Sequence, residues 1–166
     1  MDVYEDSRQP IDARVEDLLS QMTIEEKAGL MFSPQMDVVS HEQIATKGGF
    51  NFGGDIVRQV EKYKISTFCT MGSLSPKEFV RWSNAVQRLA RKSRLGIPIT
   101  LCSDPRHVYV KNTNPLTTQK DEGMTAFPLS LGMSATNDLQ LMKQYGEIVS
   151  AELRAVGIQI TVLLKE

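Results

Sequence analysis

The sequence has little cysteine, almost no net charge and no long apolar run, and each shortage excludes a class of protein. Two cysteines in 166 residues are too few for the disulfide framework of a small secreted domain. No run approaches the roughly 20 apolar residues of a membrane-spanning helix, and residues 1–6 lack the basic and apolar segments of a secretory signal. We therefore expect a cytoplasmic protein as the sequence is written, or a secreted one if the amino terminus is incomplete.

An excess of one charge is also absent. Nineteen Lys plus Arg stand against twenty Asp plus Glu, so no overall electric field favours nucleic acid or an anionic membrane surface as a partner. The basic cluster of Arg88, Arg91, Lys92 and Arg94 has no interleaved aromatic residues and is typical of a solvated helix end. We expect no nucleic-acid partner and no membrane. With 41% hydrophobic and 23% charged residues, the composition indicates an ordinary globular chain.

Hydrophobic periodicity and capping signals predict the helices. Apolar residues at helical spacing predict an amphipathic helix over 11–22, and the Thr-x-x-Glu capping box at Thr23 predicts a second over 24–31. A weaker helical turn or two is expected over 56–64. Ser75, followed by Pro76 and Glu78, predicts the start of a long helix that stops at 95–96. A last helix, capped by Thr136 or Asn137, is expected to end at Gly157.

Three short apolar runs, at 65–71, 98–103 and 158–164, predict buried strands. Because they alternate with helices long enough to serve as crossovers, the order indicates a parallel α/β fold. This order leaves an open doubly wound sheet and part of a barrel as alternatives. Cys69 and Cys102 fall within the first two runs, where we expect them to pack in the core rather than act as nucleophiles.

Asp104 and His107, directly after the second predicted strand, are the candidate site residues. The carboxyl ends of parallel strands are where α/β folds bind ligands, so Asp104 would accept hydrogen bonds from substrate hydroxyls and His107 would donate one or orient the loop. The residues alone leave an alternative, in which Asp104 caps a turn before Pro105 and His107 is solvated. A metal site with His41 lacks a third anchored ligand, and the glycine-rich segment 48–54 lacks a phosphate-loop pattern. We expect no metal and no cofactor.

Four segments carry a further signal: LLSQMTIEEKAG at 18–29, SRLGIP at 93–98, FPLSLG at 127–132 and ELRAVGI at 152–158. In this order they resemble the opening of glycoside hydrolase family 3, the β-glucosidase and exo-glycosidase family. The resemblance implies an α/β fold that is an incomplete (β/α)8 TIM-type barrel, with about three βα units preceded by amino-terminal helices. Residues 1–166 would form a partial amino-terminal barrel domain.

The same resemblance implies a role for the candidate site. The family has an Asp-x-x-His-Gly motif that binds sugar hydroxyls, and Asp104 and His107 match its first and fourth positions, whereas Val108 stands in place of the glycine. The implied partner is a glycoside or sugar, and the implied family activity is hydrolysis of O-glycosyl bonds of terminal β-linked sugars.

The family's nucleophile and acid/base regions have no counterpart in this sequence. Retaining glycosidases need two carboxyl groups about 5–5.5 Å apart, and no such pair is identifiable. Two functional hypotheses follow, a β-glucosidase-type hydrolase and a non-catalytic truncated remnant or regulatory fragment, and we expect this chain alone to be inactive. Three strands would also leave a sheet edge unpaired, which favours self-association.

Overall fold

The computed structural model describes residues 2–40, 42, 55–72, 74–103, 107 and 123–161. Its strands are β1 (Gln35–Asp37), β2 (Thr67–Met71), β3 (Thr100–Ser103) and β4 (Ile160–Thr161). Its helices are α1 (Ile11–Gln21), α2 (Ile24–Gly29), α3 (Ile56–Glu61), α4 (Pro76–Arg91), α5 (Ser130–Ala135) and α6 (Leu139–Ala155), preceded by a 3-10 turn at Val3–Glu5. The predicted loop 104–123 lies outside the described residues except at 107 and 123, and the glycine-rich segment 48–54 lies wholly outside them.

The four strands form one parallel sheet in the order β1-β2-β3-β4, which confirms the predicted α/β class. The prediction of three strands is wrong, because β1 was missed. Three residues are too few to show the alternation that identifies a strand in a sequence, and β1 is recognisable only through its pairing with β2. Helix α5 was missed as well.

The core lies between one face of the sheet and the helices. Phe68 of β2 and Leu101 of β3 are fully buried, and they share a hydrophobic cluster with Trp82 of α4. Cys69 and Cys102 are half-buried cysteines outside any disulfide, so the expectation that they pack in the core is wrong. The reason is the two-residue period of a strand, which turns each cysteine away from the face that carries Phe68 and Leu101.

Helix α1 forms where predicted, but its apolar stripe is not buried. None of its residues is buried, and Ile11 is 74% exposed. The stripe lines a surface groove of about 680 Å³ together with residues 93–98. Periodicity therefore identified the helix correctly, whereas burial of its apolar face depends on what the rest of the molecule places against it.

The capping predictions are confirmed at α2 and α4. At α2 the Thr23 hydroxyl accepts from the Glu26 amide and the Thr23 amide donates to the Glu26 carboxylate. At α4 the Ser75 hydroxyl accepts from the Glu78 amide at 3.4 Å, with Pro76 as the first helical residue. These are local interactions within four residues, which is why the sequence alone identifies them.

The predicted cap of α6 is wrong. Asp138, rather than Thr136 or Asn137, accepts from the amides of Gln140 and Leu141 at 2.9 and 3.0 Å. Three adjacent residues of capping type compete at this helix start, and Asn137 instead takes a positive φ of 52°. A short Asp side chain at the last non-helical position reaches both free amides.

An ion pair between the exposed Arg94 and the buried Glu26 joins α2 to the segment that leads into β3. Arg94 donates to both carboxylate oxygens of Glu26, and one of its terminal nitrogens also donates to the Gln21 carbonyl at 2.8 Å. Glu26 is only 8% exposed. The hydrogen bond from Arg94 outweighs burial and lowers the pKa of Glu26 below its ordinary value.

We expect Glu26→Gln to lower the free energy of unfolding at pH 7 by about 1.5 kcal/mol, the low end for a hydrogen bond to a charged group. Because the folded-state pKa is depressed, the contribution of Glu26 is present above its unfolded-state pKa and is lost as pH falls through the folded-state value. Urea unfolding at pH 7 and pH 3 should therefore show the difference between variant and wild type narrowing in acid. Exposed Glu16→Gln on α1 is the control, and a difference independent of pH would contradict the assignment.

Candidate functional site

His107 is the candidate residue whose position the structure describes. It follows β3 in the chain, is 1% exposed, and has a positive φ of 38°. Asp104 and His41 lie outside the described residues. The alternative that His107 is solvated is wrong, since the imidazole is enclosed by protein.

The His107 ring meets the carboxylate of Glu152 on α6. Nε2 of His107 lies 3.1 Å from Oε2 of Glu152. The backbone amide of Thr125 donates to both carboxylate oxygens, at 3.0 and 3.2 Å, and the Thr125 hydroxyl donates to Oε1. Glu152 is therefore the common acceptor for groups from two segments that are far apart in the sequence.

The backbone of His107 contacts the segment that contains Thr125. Its carbonyl accepts from the Phe127 amide at 2.7 Å. The Phe127 ring packs edge-on against Tyr145 of α6, with the ring centres 4.8 Å apart. Residues 125–127 thus contact His107 on one side and α6 on the other.

Helix α6 places Glu152 on the boundary between core and solvent. Val149 and Leu153, on either side of it along the buried stripe, are at most 4% exposed, whereas the Glu152 side chain is 26% exposed. Partial burial opposes ionisation, but hydrogen bonds from Thr125 and His107 outweigh it, so the pKa of Glu152 lies below its ordinary value. An ionised carboxylate only accepts hydrogen bonds, so His107 Nε2 must be the donor.

Sequence reasoning missed Glu152 and Thr125 as parts of this site. Glu152 begins the ELRAVGI segment, but it lies 45 residues from His107, and no spacing rule connects them. The available signal was an acidic residue near the end of α6, and nothing in the sequence distinguished it from Glu147 on the same helix. Folding of α6 against the sheet brings Glu152 and His107 together.

The part of the chain that the structure describes has neither a metal-binding cluster nor a membrane-spanning helix. No group of three or more His, Cys, Asp or Glu side chains there is arranged to hold a metal ion. Within the same ranges, none of the helices combines the length and the hydropathy needed to cross a membrane.

Comparison with known families places most of the chain in one of them. Residues 23–162 match the family described as the glycosyl hydrolase family 3 N terminal domain. That range includes all four strands, α2 to α6, and both candidate residues.

Curated relatives match nearly the whole chain but extend far beyond it. Beta-glucosidase C of Emericella nidulans is 33% identical over 159 residues, which are 95% of this chain and 24% of the relative. A probable beta-glucosidase C of Aspergillus oryzae is 33% identical over 158 residues, with the same coverage of both chains. A periplasmic beta-glucosidase/beta-xylosidase of Dickeya chrysanthemi is 31% identical over 157 residues, 93% of this chain and 23% of the relative. The chain therefore spans about a quarter of the length of these relatives.

Proposed function

Because this chain belongs to glycosyl hydrolase family 3, we propose that it is the sugar-binding amino-terminal part of a β-glucosidase-type glycoside hydrolase. The enzyme class would hydrolyse O-glycosyl bonds of terminal β-linked sugars. The observation that carries this proposal is the family match over residues 23–162, together with relatives named as β-glucosidases at 31–33% identity.

The proposal assigns separate roles to the two candidate residues. Asp104 would accept hydrogen bonds from sugar hydroxyls, as the motif resemblance implies. His107 would act on the loop, and its burial supports this role because an enclosed imidazole with a carboxylate on Nε2 is suited to hold backbone in place. Together they would form a substrate-binding element after β3.

We propose further that residues 1–166 form a partial barrel domain. One sheet face packs on helices, and the opposite face bears the register partners Gln35, Cys69, Cys102 and Ile160, which are half-buried or exposed. Parallel sheets usually have both faces covered. Further strands of a longer chain would close this face into the barrel interior, and without them the same face and edge would favour self-association.

A second candidate function is that of a non-catalytic chain, and the contacts of Glu152 favour it. Retaining hydrolysis requires a second carboxyl group about 5–5.5 Å from the first. Among the described residues, the carboxylate next to His107 belongs to Glu152. Its two oxygens already accept hydrogen bonds from His107 and Thr125. We therefore assign sugar binding, and not bond cleavage, to this chain by itself.

Calorimetric titration of the purified chain with D-glucose tests the proposal. We expect measurable binding, with Asp104→Asn weakening affinity by roughly 10- to 100-fold, as for loss of a charged hydrogen-bond acceptor worth about 1.5–3 kcal/mol. The control is Asp12→Asn on α1, which is exposed. Absence of glucose binding by the wild type would overturn the sugar-binding assignment.

An activity assay separates the two candidates. We expect the chain to release no more nitrophenol from p-nitrophenyl β-glucoside than Asp104→Asn does. Hydrolysis well above that variant would show that the chain is catalytic and would refute the fragment hypothesis.

A further inference from the structure

Glu152 is the point at which three parts of the molecule meet. Its carboxylate accepts from the His107 ring after β3 and from the amide and hydroxyl of Thr125 before α5, while its own backbone belongs to α6. A carboxylate offers about four acceptor positions on two oxygens. The donors of His107 and Thr125 occupy most of these acceptor positions. The contacts therefore depend on a side chain that accepts hydrogen bonds through both of its terminal oxygens.

Glu152 and His107 differ in how firmly secondary structure holds their backbones. Helix α6 has 17 residues, begins at the Asp138 cap and buries Val149 and Leu153 in the core. His107 belongs to no helix or strand and has a φ of 38°, a conformation that costs energy for a residue other than glycine. Such a conformation persists only where neighbouring groups hold it.

We infer that Glu152 is a positioning residue, which fixes the His107 ring and residues 125–127 against α6 and through them supports the proposed sugar binding. The sugar-binding part of this inference rests on the function proposed above. The positioning part rests only on the contacts of Glu152, and it is measurable without any ligand.

The chemistry of the site predicts how substitutions differ. Glu152→Ala removes every acceptor. Glu152→Gln keeps one acceptor oxygen, which at the Oε2 position can still accept from His107 Nε2 and from the Thr125 amide, while its NH₂ group can donate to the Thr125 hydroxyl. The alanine variant should therefore release both partners, whereas the glutamine variant should keep both through weaker, uncharged hydrogen bonds.

The experiment uses the full chain labelled uniformly with ¹⁵N. The chain has two histidines, so His107→Ala assigns the His107 signals directly. Three quantities are measured: the His107 Nε2–H resonance, the hydrogen-exchange rates of the Thr125 and Phe127 amides, and the Kd for D-glucose. Glu147→Gln is the matched control, on the same helix but 65% exposed and paired with Lys143 at 3.9 Å.

We expect the slowly exchanging Nε2–H resonance to be lost in Glu152→Ala and kept in Glu152→Gln. Amide exchange at Thr125 should become at least about 10-fold faster in Glu152→Ala and faster by a smaller factor in Glu152→Gln, and the glucose Kd should rise about 10-fold in Glu152→Ala. Glu147→Gln should change none of these. Rescue of the ring signal by glutamine is a result that a general loss of stability would not produce.

Wild-type amide exchange at Thr125 in Glu152→Gln, or an unchanged Nε2–H resonance in Glu152→Ala, would overturn the inference. If Glu152→Ala does not fold, exchange at Thr125 in the isosteric Glu152→Gln decides. If the wild type binds no glucose, the proposed function fails, and the ring signal and amide exchange still decide whether Glu152 is the positioning residue.

Discussion

Replacement of Trp82 by alanine is expected to lower the free energy of unfolding by about 3–5 kcal/mol, a large part of the stability of a domain this size. Trp82 lies on α4, is 1% exposed, and contacts the Phe79 ring edge-on with the ring centres 5.5 Å apart. It belongs to the cluster that joins the helices to β2 and β3. Its removal leaves a cavity that the surrounding elements fill only in part.

Urea unfolding followed by circular dichroism measures this loss. Asn84→Ala, at an exposed position on the same helix, is the control and should change stability by no more than about 0.5 kcal/mol. A loss below about 1 kcal/mol in Trp82→Ala would mean that α4 does not pack on the sheet through this residue.

Replacement of Gly29 by alanine is expected to cost about 3 kcal/mol, near the upper end for overpacking. A Cβ at this position would lie 2.3 Å from the Lys64 carbonyl oxygen and 2.8 Å from that of Tyr63. Both are backbone atoms of the segment between α3 and β2, so relief requires displacement of main chain. Gly29 thus allows α2 to approach this segment closely.

Gly146→Ala on α6 is the matched control, because a Cβ there meets nothing within 4 Å. It should raise the free energy of unfolding by about 0.5–1 kcal/mol, since alanine is the better helix former. Opposite signs for the same substitution in two helices would show that space, and not propensity, decides at Gly29. Equal stabilisation by both would contradict the close approach of α2.

These stabilising contacts and the candidate site are attached to opposite ends of the strands. Lys64 precedes β2 and Arg94 precedes β3, whereas His107 follows β3. In parallel α/β folds, ligands bind outside the carboxyl ends of the strands. Substitutions of exposed residues near Glu26 or Gly29 should therefore alter the free energy of unfolding and have little direct effect on sugar binding.

The parallel α/β class and most helices were predictable from the sequence, because their signals are local. The capping box at Thr23 and the Ser75–Pro76 start each act within four residues, and apolar periodicity identified α1, α4 and α6. His107 became a candidate site residue for the same reason, since it follows a strand that its apolar sequence predicts. Hydrogen bonds within a turn and alternation within a strand require no knowledge of distant residues.

Only the tertiary structure decided what distant segments do to one another. It paired the three residues of β1 with β2, turned Cys69 and Cys102 away from the helix-covered core, and left most of the apolar stripe of α1 exposed. It also brought Glu152 to His107 across 45 residues. Strand pairing, burial and the contacts of a shared carboxylate depend on which elements lie next to each other in space. Local propensity carries no information about which elements do so.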